Sequence, residues 1–367
     1  MSSPPTHRKP SVPHQVRTAA EPRQNRLYPV RLSHIEQINP TVRLLQLALP
    51  PSNQESDTDS DTPESEPFTF LPGQWLDVHI PSIANAGGFT ITSTPADATA
   101  LPVPSPNHDN GAFDQDEEPL SVSVDDNETG LPPVDAHGRQ PYVELAVQKA
   151  PSNPASAWLW REPREILDQE LRVRVGGSFV WPPTGVDDLD KVQKVVLVAG
   201  GVGINPLISI LSHLNNNTNN TNHHHPHSYN IHILYSTKHP PNTDLSQILF
   251  LPRLQQIIRS QSYSHRLCIS LDLFLTSPSS SENPTSPASD AASSSSSPPS
   301  ADEFHIHNRR INESDLRTAL ASANGRTEPA GTVCYVCGPP RMTDEMVDVL
   351  GGLLGGQERV FYEKWWG

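Results

Sequence analysis

The chain has 367 residues, of which 39 are proline and only 35% are hydrophobic, so a sizeable part lies outside any packed core. Its formal charge of −15 is local: residues 51–67 hold six acids and no base, and residues 97–140 hold ten acids against Arg139 alone. The remainder is close to neutral, which excludes a basic nucleic-acid-binding face and a global charge-steering role. Cys268, Cys334 and Cys337 are too few for a disulfide scaffold or a four-cysteine iron–sulfur site, and fit a reducing compartment. No apolar run has the length of a membrane span.

Residues 1–26 read as a disordered or targeting segment. The first 31 residues carry six Lys/Arg and one acid, Glu21, a balance shared by mitochondrial presequences and disordered tails, so the localisation expected is mitochondrial or cytoplasmic. From 27 to 183 the pattern is short strands rich in Val, Ile, Thr and aromatics: Thr41–Leu49, Trp75–Ile80, Gly88–Ser93, Tyr142–Lys149 and Leu171–Val175. Strands without intervening helices predict a small antiparallel β-barrel, interrupted by insertions at 51–67 and 97–140.

From 190 to 367 strands alternate with helices, which predicts a parallel α/β sheet with insertions at 215–228 and 277–301. The histidines His223, His224, His225 and His227 sit in an Asn-rich tract with no paired carboxylate or cysteine, and read as a biased loop rather than a metal site.

The stretch Val195–Leu211 organises this half. Val195 to Val198 form a strand buried on both faces, Gly200, Gly201 and Gly203 break it, and a helix restarts with Asn205 as its cap and Pro206 in its first turn. Such a strand–turn–helix offers bare backbone and unpaired N–H groups to a dinucleotide diphosphate, Ile204 included, although Pro206 stands where the Rossmann fingerprint has its third glycine. After the next strand, Ser236 and Lys238 are placed for the ribose end, where a 2′-phosphate would favour NADPH over NADH.

Three further motifs accompany the glycine turn. Residues 87–93 read Gly-Gly-Phe-Thr-Ile-Thr-Ser on a strand, residues 337–342 read Cys-Gly-Pro-Pro-Arg-Met after the penultimate strand, and the chain ends in Tyr362, Glu363, Lys364, Trp365, Trp366 and Gly367. On these motifs the span from about Leu27 to Trp366 resembles the ferredoxin–NADP⁺ reductase superfamily, and within it the oxidoreductase NAD-binding domain-containing protein 1 group.

The resemblance implies a Greek-key flavin-binding barrel followed by an NAD(P)-binding domain, FAD or FMN as cofactor, NADH or NADPH as donor, and a separate electron acceptor. It implies that Phe89 stacks on the flavin, that the Thr90 hydroxyl approaches N5, and that Ile91, Thr92 and Ser93 complete the flavin strand. Ser156, in Asn153-Pro154-Ala155-Ser156, matches the serine of a second, phosphate-facing element. Gly201, Gly203 and Pro206 match the dinucleotide turn; Cys337, Gly338, Pro339 and Met342 shape the nicotinamide end. Glu363 joins a proton-handling network, and Trp365, with Trp366 as second candidate, covers the flavin.

One departure stands out: the arginine expected two positions before Phe89, a partner for the flavin diphosphate, is Gly87. That keeps open a second reading, a dinucleotide-sensing or interaction protein on the same fold without tight flavin binding. Cys334 and Cys337 form a C-x-x-C, but on a strand, where a redox disulfide is the weaker reading.

Overall fold

The computed structural model describes residues 12–50, 67–99, 140–219, 228–264, 267–276, 304–321 and 328–365. Most of the residues expected as insertions, the histidines at 223–227 and Trp366 lie outside them.

The first domain is a six-stranded antiparallel barrel of β1 (Tyr28–Asn39), β2 (Val42–Ala48), β3 (Trp75–His79), β4 (Gly87–Thr90), β5 (Tyr142–Gln148) and β6 (Glu170–Gly176). Their order is β4-β3-β6-β1-β2-β5, and an Ile91–Leu145 bridge brings the two edges together. Sequence reading missed β1, although Tyr28, Val30 and Leu32 alternate inward against Pro29 and Arg31; Pro29 obscured the period. Two short helices, α1 (Pro154–Leu159) and α2 (Pro163–Ile166), close one end, and Leu159 and Ile166 sit in the barrel core.

The second domain is a six-stranded parallel sheet of β7 (Lys194–Gly200), β8 (Tyr229–Lys238), β9 (Leu267–Thr276), β10 (His305–His307), β11 (Thr332–Gly338) and β12 (Val360–Lys364). The order β10-β9-β8-β7-β11-β12 makes the β7/β11 boundary the topological switch point, where an open α/β sheet leaves a crevice. Helices α3 (Ile204–Asn219) and α4 (Leu251–Ser264) cover one face; α5 (Glu313–Leu320) and α6 (Pro340–Leu354) cover the other. Among the described residues no helix is long and apolar enough to cross a membrane.

The two domains share a core, since Val42, Leu44 and Ala146 of the barrel pack among residues of α3 and α4. Polar joints fix the seam. Arg253 on α4 grips buried Glu144 on β5 with two bonds, 2.9 and 3.0 Å, and Thr92 Oγ1 donates to the same carboxylate at 2.7 Å. Burial alone would raise the Glu144 carboxyl, but the guanidinium overrides it and holds the group below the usual range.

Residues 12–26, expected as part of a tail, instead pack on the barrel. Gln24 N–H donates to Val175 O, Gly177 N–H donates to Pro22 O, and one turn of helix, His14–Arg17, lies against β4. Arg23 and Arg174 both bond the fully buried Asp77 carboxylate.

Replacing Arg253 by Met strands a buried carboxylate, and the expected loss in urea unfolding is about 3–5 kcal/mol. Adding Glu144→Gln should restore most of that loss.

Candidate functional site

Two turns meet at the switch point because glycine lets them. Gly201 to Gly203 form a single 3₁₀ turn after β7. A Cβ on Gly203 would lie 2.1 Å from the Cys337 carbonyl oxygen, and one on Gly200 would lie 2.5 Å from Met342 Sδ and 2.8 Å from Pro339 Cδ. Gly201 is the reverse case: its φ of +56° suits glycine, and open space surrounds the position of a Cβ. The turn is therefore locked from below and bare above. Thr343 Oγ1 and the Trp365 N–H both donate to the Gly338 carbonyl, at 3.1 and 2.9 Å, tying β12's end to the same loop.

Helix α3 starts at Ile204, whose side chain is buried, with Pro206 in its first turn, where a missing N–H does no harm. Asn205 does not cap it; its Nδ2 donates to Ala146 O at 3.1 Å across the domain seam. Ser236 sits beside Gly200 in the strand register, and Lys238 is exposed at the end of β8.

Cys337 is sealed at the carboxyl end of β11, and burial, reinforced by nearby Glu363, pushes its thiol well above the ordinary range. Glu363 is half-buried, yet its Oε2 is closed off without a hydrogen-bond partner. Burial and the carboxylate of Glu21 raise Glu363 to about 8, so it carries a proton at neutral pH. Trp365 is half-buried against the α/β core. Cys334 and Cys337 point to opposite faces of β11, into different cores, so the C-x-x-C cannot close.

The barrel side departs from expectation at the diphosphate end. The Ser156 hydroxyl is not presented to a ligand: it donates to Gln148 O at 2.8 Å and accepts from Ala150 N–H at 3.0 Å. The Asn153 side chain takes the first N–H groups of α1, from Ala155 and Ser156. A Cβ on Gly87 would meet Ala155 Cβ at 2.5 Å and the Phe89 ring at 2.6 Å, so β4 and α1 touch where an arginine and a diphosphate would need room. Phe89 and Ile91 are buried in the barrel core, and Thr92 and Ser93 are bonded to Glu144.

The ring end is different. Thr90 Oγ1 and the neighbouring Trp75 Nε1 are both sealed from solvent and have no partner. Unpaired donors at that depth cost about 1–3 kcal/mol each, the signature of a surface that pairs with something. The residues present thus fit a flavin ring at Trp75 and Thr90, and do not fit the diphosphate of FAD at Gly87 and Ser156. Sequence reading missed Trp75, Asp77 and His79, although their i, i+2, i+4 spacing on β3 puts them on one face.

A Greek-key barrel followed by a parallel sheet with a glycine turn at its switch point is the two-domain fold of ferredoxin–NADP⁺ reductase-like proteins, and the chain shares that fold. Residues 192–349 match the Ferric reductase NAD binding domain. The chain is similar to the oxidoreductase NAD-binding domain-containing protein 1 of Danio rerio, 28% identical over 356 residues, covering 96% of this chain and 97% of that protein. It is 27% identical over 361 residues to the Homo sapiens protein of that name, covering 98% and 86%. Among solved structures, the CS-b5R domains of human Ncb5or (NAD+ form) align with a TM-score of 0.54 at 15% identity, over 92% of this chain and 69% of that one. A ferredoxin NADP+ reductase from Neisseria gonorrhoeae with bound FAD and NADP aligns with a TM-score of 0.52 at 12% identity, over 93% and 99%.

Glu363 binds its proton more tightly folded than unfolded, so the stability it contributes is present at low pH and is lost as pH rises from about 4.5 to about 8. In that window one such group shifts the folding equilibrium by up to about tenfold per pH unit. Glu363→Gln should flatten this part of the curve in denaturant titrations between pH 5 and 9. A slope equal to the wild type's would show the carboxyl to be ordinary.

Proposed function

We propose that this chain is an NAD(P)H-dependent oxidoreductase with a flavin as hydride acceptor and a separate acceptor for the electrons. The observation that carries it is the glycine contact between the β7 and β11 turns, which builds a bare, rigid diphosphate seat at the switch point. Gly201 and the first turn of α3 would hold the diphosphate, and Ser236 and Lys238 the ribose end. Cys337 and Gly338 shape the nicotinamide wall, where a closed, protonated Glu363 holds a proton on its carboxyl and a half-buried Trp365 keeps water out. When bound, a flavin supplies hydride acceptance at N5 and onward electron transfer. Thr90 and Trp75 would orient its ring edge; among the described residues, those at the Gly87 and Ser156 end are packed or bonded internally and leave no anchor for an adenylate tail, which favours FMN over FAD.

The direct packing of β4 on α1 favours a second reading, a dinucleotide-binding protein without flavin chemistry. Anaerobic absorbance separates the two. Purified protein is mixed with FMN or FAD, then with NADH or NADPH. Uptake of FMN and bleaching of its band by either nucleotide support the reductase, with Trp365→Ala altering the bleaching rate. Dinucleotide binding without flavin uptake supports the second reading. If Lys238 meets a 2′-phosphate, Lys238→Ala should weaken NADPH by about tenfold and leave NADH unaffected.

A further inference from the structure

Residues 12–24 cross the face of the barrel that carries Trp75 and Thr90. The His14 ring sits where a side chain on Gly88 would be, its Cγ 2.4 Å from that Cβ position, and meets the Trp75 ring edge-on at 4.6 Å. The Arg23 guanidinium lies over the other part of the Trp75 ring, 4.8 Å from its centroid. Glu21 accepts from Ser178 N–H and Oγ at 3.1 and 2.6 Å, and its charge reaches Glu363. The segment thus crosses from β4 to the turn after β6, over the Trp75 ring.

Its attachment is that of a cover rather than a wall. The barrel closes without it, through the Ile91–Leu145 bridge. Its strand pairing with β6 is a single bridge, Arg23 to Gly176, and its helix is one turn, far below the length that holds by itself. Beyond the two backbone bonds around that bridge, side chains hold the segment: His14 and Arg23 on Trp75, and His14 Nε2 at 3.4 Å and Arg23 Nε at 2.9 Å on Asp77. Arg174 keeps Asp77 paired on its own at 2.8 Å, so the carboxylate survives loss of the cover. Val12 and Val16 are exposed on the outside of this segment. Underneath, the fit is incomplete: Thr90 Oγ1 and Trp75 Nε1 are sealed yet unpaired. A planar ring with acceptors along one edge would pair them, which His14 and Arg23 do not.

We propose that residues 12–24 are a strap that closes the flavin seat, and that a flavin enters only when the strap lifts from Gly88. This rests on the flavin reading above, and makes the flavin an exchangeable ligand admitted by a movable part of the chain.

The test locks the strap. In the full chain with Cys268→Ser, the pair His14→Cys and Gly88→Cys places two Cβ atoms within reach of the roughly 3.5–4.5 Å that a disulfide spans. FMN binding is read by fluorescence quenching, and NADH binding to the α/β domain checks folding. The oxidised form should bind FMN at least tenfold more weakly than the same protein after reduction. Arg23→Ala, which removes the strap's anchor while Arg174 still pairs Asp77, should bind FMN more tightly than the wild type. Equal binding by the oxidised and reduced forms overturns the strap and leaves the flavin reading standing. No FMN binding in any form, Arg23→Ala included, overturns both.

Discussion

The Glu144–Arg253 pair is the joint on which the arrangement depends. It puts a doubly bonded, buried ion pair between β5 of the barrel and a helix of the second domain, beside the segment that follows β4. A pair of that kind tolerates little displacement, because separating the partners leaves charge in a low-dielectric seam. Asn205 and Ser209 add bonds to Ala146 O and Ser93 O across the same seam. The relative placement of the barrel and the parallel sheet is therefore set by this seam.

The two halves of the site differ in how finished they are. On the dinucleotide side, Gly203 packs on the backbone of Cys337 and Gly200 on the side chains of Met342 and Pro339, and the surface above Gly201 is clear. On the barrel side, the diphosphate end has been filled by internal bonds of Ser156 and Asn153, and the ring end is covered by another part of the chain. One fold thus combines an open glycine turn on one side with a closed, internally bonded barrel face on the other.

The two-domain plan was legible because each half has its own period: alternation in the barrel strands, and β-branched runs punctuated by glycine in the sheet. The Gly200–Gly203 turn and the motif at Cys337 were legible for the same reason, since glycines at fixed spacing imply close approach. Three features were not. Asn205 looks like a cap because Asn before Pro usually is one, and only the distant Ala146 carbonyl redirects it. Ser156 looks available because a sequence does not show that Gln148 O and Ala150 N–H fold back onto it. Residues 12–24 look like a tail because their partners, Asp77, Trp75 and Gly88, are remote in the chain and are read as strand residues with no hint of a visitor.

The split of Cys334 and Cys337 between the two faces of β11 keeps the C-x-x-C from acting as a dithiol pair. Burial pushes the Cys334 thiol up to about 12 and Cys337 well above its ordinary range, so neither offers a thiolate to peroxide, and neither can resolve the other as a disulfide. Cys268, the exposed thiol among the three, lies on β9, beyond β8 from the glycine turn. Sulfur at position 337 thus stands beside the glycine turn as a buried thiol that packs like a small apolar group.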